Sequence, residues 1–429
     1  MDVEKRFELV SQVGEGGEIV TPEELKALLA EKKHPIAYDG FEPSGHVHIA
    51  QGLLRAININ KMTSAGCKFK MLVADWHGWA NNKMGGNLEN IQTVGKYLIE
   101  VWKSCGLDAD NVEFVWASGH VKDDDYWKKV MQVARNTTVN RIVRCGQIMG
   151  RKDADVQQAS QILYPCMQAA DIFHLKADIC QLGLDQRKVN VLAREIGPKL
   201  GYWKPVIVSH HMMMGLVEPV VSLRYSLDLD IYNKASRFKY YREADEFFLE
   251  DVVDKQKFFI KKNISEYNYP DGSKIKILYD KLFPGSIKIE HVISATERAI
   301  DMKMSKSKPD SAIFMTDSPE EVKRKISKAY CPEKQIAENP ILEYCKFIIF
   351  EKFKTFDIKR HEKFGGDVSF ESYAGLEKAY AEGKIHPMDL KSGVALRLNE
   401  LLEPVRQHFE KNAKAKDLLE AVNKLEVTR

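Results

Sequence analysis

Between residues 34 and 210 of the 429-residue chain, short apolar runs alternate with stretches whose apolar residues recur at helical spacing. HPIAYDG (34–40) reads as a first strand, and Pro43-Ser44-Gly45 as the turn after it. Ile49, Leu53, Ala56 and Ile57 then predict a helix over 48–65. FKMLVADW (69–76) is a continuous apolar strand, the kind a sheet covered on both faces requires. Ile91, Val94, Leu98, Ile99 and Trp102 predict a helix over 88–105, VEFVWAS (112–118) a third strand, and the pattern from 124 to 173 further helices. ADICQLG (177–183) and PVIVSHH (205–211) are two more strands, flanking a helix at 185–197. Strands alternating with helices through short links predict an α/β fold, a Rossmann-like doubly wound parallel sheet. Ligands bind such a sheet at the carboxyl ends of its strands.

The pattern changes twice further on. From 318 it is helical to the end: SPEEVKRKISKAY opens with Ser318 and Glu321 in capping-box spacing, and helices follow over 371–381 and 387–410. The expected division is a catalytic domain at 1–317 and an all-α domain at 318–429. Residues 217–300 fit neither part; they hold a helix-like READEFFLEDVV (242–253) and a hairpin-like YPDGSKIKILY (269–279) around Asp271-Gly272. About 80 residues cannot be one bare loop in a compact domain, so this insertion must carry its own structure.

Composition narrows the class. Hydrophobic residues make up 44% and charged residues 29%, as in ordinary soluble proteins. No apolar run approaches a membrane span, and MDVEKRFELV lacks the apolar segment of a secretory signal, so a cytoplasmic location is expected. None of the cysteines at 67, 105, 145, 166, 180, 331 and 345 forms a CxxC pair, which argues for reduced thiols over zinc or disulfides. A net charge of +3 argues against general coating of nucleic acid but leaves room for a local basic surface.

Four segments carry candidate chemistry. In EPSGHVHIAQG (42–52), Gly45 sits in the turn after the first strand and His48 near the predicted helix start, where free N–H groups favour phosphate. In DMKMSKSKPDSAIF (301–314), Lys303 and Lys306 stand among small residues that suit a loop gripping a displaced pyrophosphate; a solvated turn is the plainer reading. In YPCMQAAD (164–171), Tyr164, Gln168 and Asp171 fall at i, i+4 and i+7, one face of an otherwise apolar helix, as a pocket wall would need. In LGLDQRK (182–188), Gly183 allows close backbone approach, and Asp185 suits either a ribose hydroxyl or a helix N-cap.

Together these segments resemble class I aminoacyl-tRNA synthetases. HIAQ (48–51) stands where that family carries its HIGH signature, and KMSKS (303–307) is its complete second signature. YDGFEPSG (38–45), LVADWH (72–77), YPCMQAAD, LGLDQRK, EKFGGD (362–367) and IHPMDLK (385–391) look like the tyrosyl-tRNA synthetases of archaea and eukaryotes. The resemblance covers nearly all of the chain except the first 30 residues and 217–300.

It implies activation of tyrosine by ATP, with Mg2+ as part of the substrate complex and no tightly bound protein metal, then transfer to tRNA(Tyr). It also implies a homodimer with 124–160 near the interface, and makes 318–429 an anticodon-binding domain. By the same resemblance Tyr38 and Asp171 bind the substrate phenol; Tyr164, Gln168 and Gln186 hold its α-amino end; and Ala74 and His77 line the pocket. A buried phenol needs both a donor and an acceptor, and a carboxylate left unpaired would reject phenylalanine. Gly45, His48, Gln51, Gly183, Asp185, Lys303 and Lys306 take the ATP, with His48, Lys303 and Lys306 catalytic. Arg141, Arg144, Arg187 and Lys188 approach the acceptor end, and Phe364 and Asp389 read the anticodon by stacking and by accepting from a base edge. The match departs from the family at three places. Ala50 and Gln51 replace the glycine and second histidine of HIGH; GHVKDDD (119–125) lacks a glutamine near the substrate amino group; and relatives have a short loop at 217–300.

Overall fold

The computed structural model describes residues 1–425 except 147–157, 220–221, 229–237, 244–245, 252–254, 260–264, 269–272, 280–285, 293–301 and 305–308. It divides into two compact units, one of 1–153, 157–217 and 304–429, the other of 154–156 and 218–303.

The first unit is built on a six-stranded sheet. The order is β1 (Glu18–Ile19), β6 (Val206–Ser209), β5 (Ile179–Cys180), β2 (Ile36–Phe41), β3 (Lys68–Val73) and β4 (Val112–Trp116). β2 to β6 are parallel, while β1 caps the β6 edge antiparallel, so the edge is not left open. The chain runs outward from β2 to β4, then returns to lay β5 on the other side of β2. That reversal makes the doubly wound switch point, and a crevice opens at the strand ends there.

Successive residues of each strand face opposite sides of the sheet. Ala37, Phe69, Met71, Val73, Ile179 and Val208 join a core that also takes in α1 (Val3–Val13), α2 (Pro22–Glu31), α3 (Leu53–Ser64), α5 (Leu88–Ser104) and the C-terminal helices. Tyr38, Leu72, Cys180 and Ile207 face the opposite core, with α7 (Asp124–Arg135), α8 (Val139–Gly146), α9 (Ala159–His174) and α10 (Arg187–Ile196). Two short helices, α4 (Asp75–Ala80) and α6 (Ala117–His120), begin at or just after strand ends and face the crevice.

The C-terminal helices are α11 (Pro319–Lys328), α12 (Pro340–Tyr344), α13 (Tyr373–Ala381), α14 (Pro387–Lys411) and α15 (Ala413–Asn423). Ser318 caps α11 by accepting from Glu321 N at 3.2 Å, while the Glu321 carboxylate turns to Arg324 Nε at 2.8 Å. A two-stranded hairpin, Phe356–Ile358 with Val368–Phe370, interrupts the helical run. No helix among the described residues is long and apolar enough to cross a membrane.

Two local expectations need correction. READEFFLEDVV is not helical: it supplies parts of β8 (Phe238–Glu243) and β9 (Glu246–Asp251). β9 is the middle strand of a three-stranded sheet with β10 (Gln256–Phe259), and the register sets Glu250 opposite Lys239 on one side and Lys257 on the other. Backbone ladders on both edges outweigh the local helix preference. The helix after β2 begins at Leu53, not 48; His48 precedes it in an antiparallel bridge to Phe314. The hairpin expectation holds, since β11 (Ser265–Asn268) pairs antiparallel with β12 (Lys274–Tyr279), although Asp271 and Gly272 lie outside the described residues. With β13 (Ser286–Val292) and β7 (Ser222–Asp228) they form a four-stranded sheet.

Candidate active site

The switch point gathers the predicted amino-acid pocket. Tyr38 is on β2, Ala74 is the N-cap of α4, His77 lies within α4, and Tyr164, Gln168 and Asp171 share one face of α9. Asp171 is only 1% exposed. His77 Nε2 sits 2.9 Å from its Oδ2, and His120 Nδ1, at the end of α6, 3.5 Å from its Oδ1. Burial alone would raise Asp171, but the charge of His77 and the approach of His120 leave it below the ordinary carboxylate value. Burial would depress His77; the Asp171 charge outweighs that and leaves it raised. Burial, with Cys180, Asp171 and Asp39 nearby, keeps the Tyr38 phenol far above its usual value and therefore neutral. Tyr126 on α7 is held up by the same combination of burial and Asp171.

The polar end of the pocket is ordered from both sides. Gln168 Nε2 donates to Gln186 Oε1 at 3.0 Å, and the His77 ring meets Tyr164 edge-on at 5.2 Å. Glu42 stands near Tyr164 and accepts from Asn81 Nδ2 at 3.2 Å. The Tyr38 hydroxyl and Gln168 Oε1 are buried and complete no hydrogen bond with the described residues. Buried polar groups are normally paired, so these two suit a polar ligand. His120, Tyr126 and Glu42 were not assigned from sequence. His120 lies in the segment noted for its missing glutamine, and Glu42 lies in a quoted motif.

The predicted phosphate side lies along the rim. Gly45 has φ 120°, the left-handed region that favours glycine. The first signature segment is joined by backbone to the stretch that follows the second: Ile49 N donates to Ile313 O at 2.9 Å, and Met315 N to Val47 O at 2.8 Å. Gly52, the N-cap of α3, allows this closeness, because a Cβ there would lie 2.7 Å from Met315 Cγ. Gln51 is half-buried in the turn, and its carbonyl accepts from Trp102 Nε1 at 2.8 Å. Gly183 packs so closely that a Cβ would come within 2.6 Å of Met212 Sδ. Asp185 is half-buried in the single turn Leu184–Gln186 that leads into α10. Lys303 belongs to the second unit, and Lys306 lies outside the described residues.

The predicted RNA-facing residues are on the surface. Arg144 and Lys188 are exposed. Arg141 pairs with Glu195, and Arg187 with Glu18 at 2.5 Å. Phe364 is 61% exposed, with Lys363 Nζ 4.8 Å above its ring. Its loop is tied to the segment before α14 by Arg360, which donates to Gly366 O at 2.8 Å and Lys384 O at 3.0 Å. Asp389, in the first turn of α14, is half-buried.

Comparison with known proteins gives the family. The family of tRNA synthetases class I (W and Y) matches residues 30–221 and 292–403. The chain is 44% identical to tyrosine–tRNA ligase 1, cytoplasmic, of Arabidopsis thaliana, over all of this chain and 90% of that one. It is 37% identical to tyrosine–tRNA ligase of Thermococcus kodakarensis over the whole of both. A structure of tyrosyl-tRNA synthetase complexed with L-tyrosine from Pyrococcus horikoshii superposes with a TM-score of 0.76 at 34% identity, over 98% of this chain and 100% of that one. The chain therefore belongs to the class I tRNA synthetases for tryptophan and tyrosine. Within them its activity is that of the tyrosine–tRNA ligases, joining tyrosine to its tRNA.

Proposed function

We propose that Tyr38 and Asp171 recognise the substrate phenol, with Tyr164, Gln168 and Gln186 at its α-amino end and Ala74 and His77 along the wall. The observation that carries this is the Tyr38 hydroxyl, buried and without a hydrogen-bond partner among the described residues, near a buried and ionised Asp171. Neutral Tyr38 donates or accepts, and ionised Asp171 accepts a hydrogen bond from the phenol O–H.

Tyrosine's carboxylate then attacks the α-phosphate of Mg-ATP, which releases pyrophosphate and leaves tyrosyl-adenylate. Gly45, Gln51, Gly183 and Asp185 line the nucleotide site. His48, Lys303 and Lys306 stabilise the charge developing on the departing phosphates. The tyrosyl group passes to the 3′ end of tRNA(Tyr), with Arg141, Arg144, Arg187 and Lys188 near the acceptor and Phe364 and Asp389 at the anticodon. The exposure of Phe364 supports the last role, because a stacking aromatic must be accessible. The helical region 318–429 serves as the anticodon-binding domain.

The active form is a cytoplasmic homodimer. Its support is the exposed apolar set Trp79, Met131, Val139 and Leu163 on α4, α7, α8 and α9. Lys306→Ala tests the catalytic part. Tyrosine-dependent ATP–pyrophosphate exchange should fall by about a hundredfold or more, the scale of one lost transition-state donor, while tyrosine affinity stays within about twofold. Exchange near the unsubstituted rate would remove Lys306 from the mechanism.

A further inference from the structure

Beneath the crevice the sheet buries a charged residue that the mechanism above does not use. Arg55, on α3, is 1% exposed. A guanidinium is tolerated in such a place only when its donors are met. Nη1 is 2.9 Å from His210 Nδ1 and Nη2 donates to Gln181 Oε1, while Nε lies 3.2 Å from Asp39 Oδ2 as an ion pair without a formed hydrogen bond. Gln181 Nε2 also approaches His210 Nδ1, at 3.2 Å. Guanidinium and amide N–H groups only donate, so Nδ1 accepts and the ring proton of His210 sits on Nε2. Burial and the Arg55 charge hold His210 well below its ordinary pKa, which agrees with a neutral ring.

The four residues come from four elements: Asp39 from β2, Arg55 from α3, Gln181 just past β5 and His210 just past β6. They fill the floor where the strand order reverses. Backbone bonds carry the arrangement upward. Gln181 N donates to Tyr38 O at 3.0 Å, His210 N to Leu182 O at 3.0 Å, and Leu184 N to His210 O at 3.1 Å. Gly183 pairs with His210 in a parallel bridge, and a Cβ on Gly183 would stand 3.6 Å from His210 Nε2. The turn that holds Asp185 thus rests on His210, and His210 rests on Arg55.

We propose that Arg55 is a positioning residue for ATP: through His210 and Gln181 it fixes the 183–186 turn so that Asp185 meets the ribose. This rests on the reading of Asp185 as a nucleotide contact. A site held by locked supporting side chains keeps its geometry, and one left unsupported loosens.

The test is steady-state ATP–pyrophosphate exchange on the full chain, with KM for ATP and for tyrosine measured separately. The double variant Arg55→Met with Asp39→Leu replaces the buried pair by apolar groups, a change that commonly preserves folding. His210→Phe removes only the neutral ring and carries the same prediction should the double variant not fold. His210→Gln restores an acceptor for Arg55. Asp185→Ala runs in parallel. The expected result is that the double variant and His210→Phe raise KM for ATP about tenfold with KM for tyrosine within about twofold, while His210→Gln stays near the unsubstituted protein. If Asp185→Ala raises KM for ATP but the folded double variant or His210→Phe does not, the positioning role is overturned and the Asp185 reading stands. If Asp185→Ala leaves KM for ATP unchanged, both fall.

Discussion

Asp171 keeps its charge in a nearly dry pocket because two histidines share the load. His77 has a higher pKa folded than its unperturbed 6.5, once the pull of Asp171 overcomes burial. The stability it contributes is therefore fully present below pH 6.5 and is lost as pH rises through the raised value. Asp171 is depressed below its ordinary 3.8, so its contribution is present above that value and lost only in acid. The margin in Tm of the unsubstituted protein over His77→Gln should accordingly be largest at about pH 6 and shrink toward about pH 8.5. A margin that does not change with pH would remove the His77–Asp171 pair from the stability of the pocket. The α9 face was legible in the sequence because Tyr164, Gln168 and Asp171 obey a purely local period. His120 and Tyr126 obey no such rule: they reach Asp171 only because β4 ends beside β3 and α7 folds back over α9.

At the scale of elements, strands and long helices followed their periodicity, and errors arose where a partner outside the segment decides. β9 reads as helix alone and becomes a strand between two others. His48 was expected at a helix start, but a backbone bridge to Phe314 holds it ahead of α3. That bridge makes Gly52 a critical contact, where α3 begins against Met315. Gly52→Ala should overpack this junction and cost about 1–3 kcal/mol of stability. It should lower exchange more than tyrosine affinity, because the strain falls where α3 begins against Met315 rather than around Tyr38 and Asp171. Thermal unfolding and tyrosine titration check both halves; an unchanged Tm would show that Met315 simply moves aside.

At the scale of the molecule, the insertion is a separate compact unit whose ends meet. The family match stops at 221 and resumes at 292, and Ser222 pairs directly with Val292. A segment that leaves and returns at one point can be present or absent without disturbing the remaining chain. Sequence length announced the insertion, and the hairpin around Asp271-Gly272 was legible in it, but the pairing of β7 with β13 spans tens of residues and could not be read locally. Replacing 223–291 by a short Gly-rich linker should leave a cooperative melt and tyrosine affinity within about threefold, since closing a short loop costs little. Loss of either would make the insertion part of the catalytic fold. The proposed phenol pocket is tested most directly by ATP–pyrophosphate exchange driven in turn by tyrosine, phenylalanine and tryptophan, with and without Asp171→Asn. Tyrosine alone should support exchange in the unsubstituted protein, and Asp171→Asn should lower kcat/KM for tyrosine by about tenfold or more. Exchange driven equally by phenylalanine or tryptophan, or an Asp171→Asn protein as active on tyrosine as the original, would contradict it.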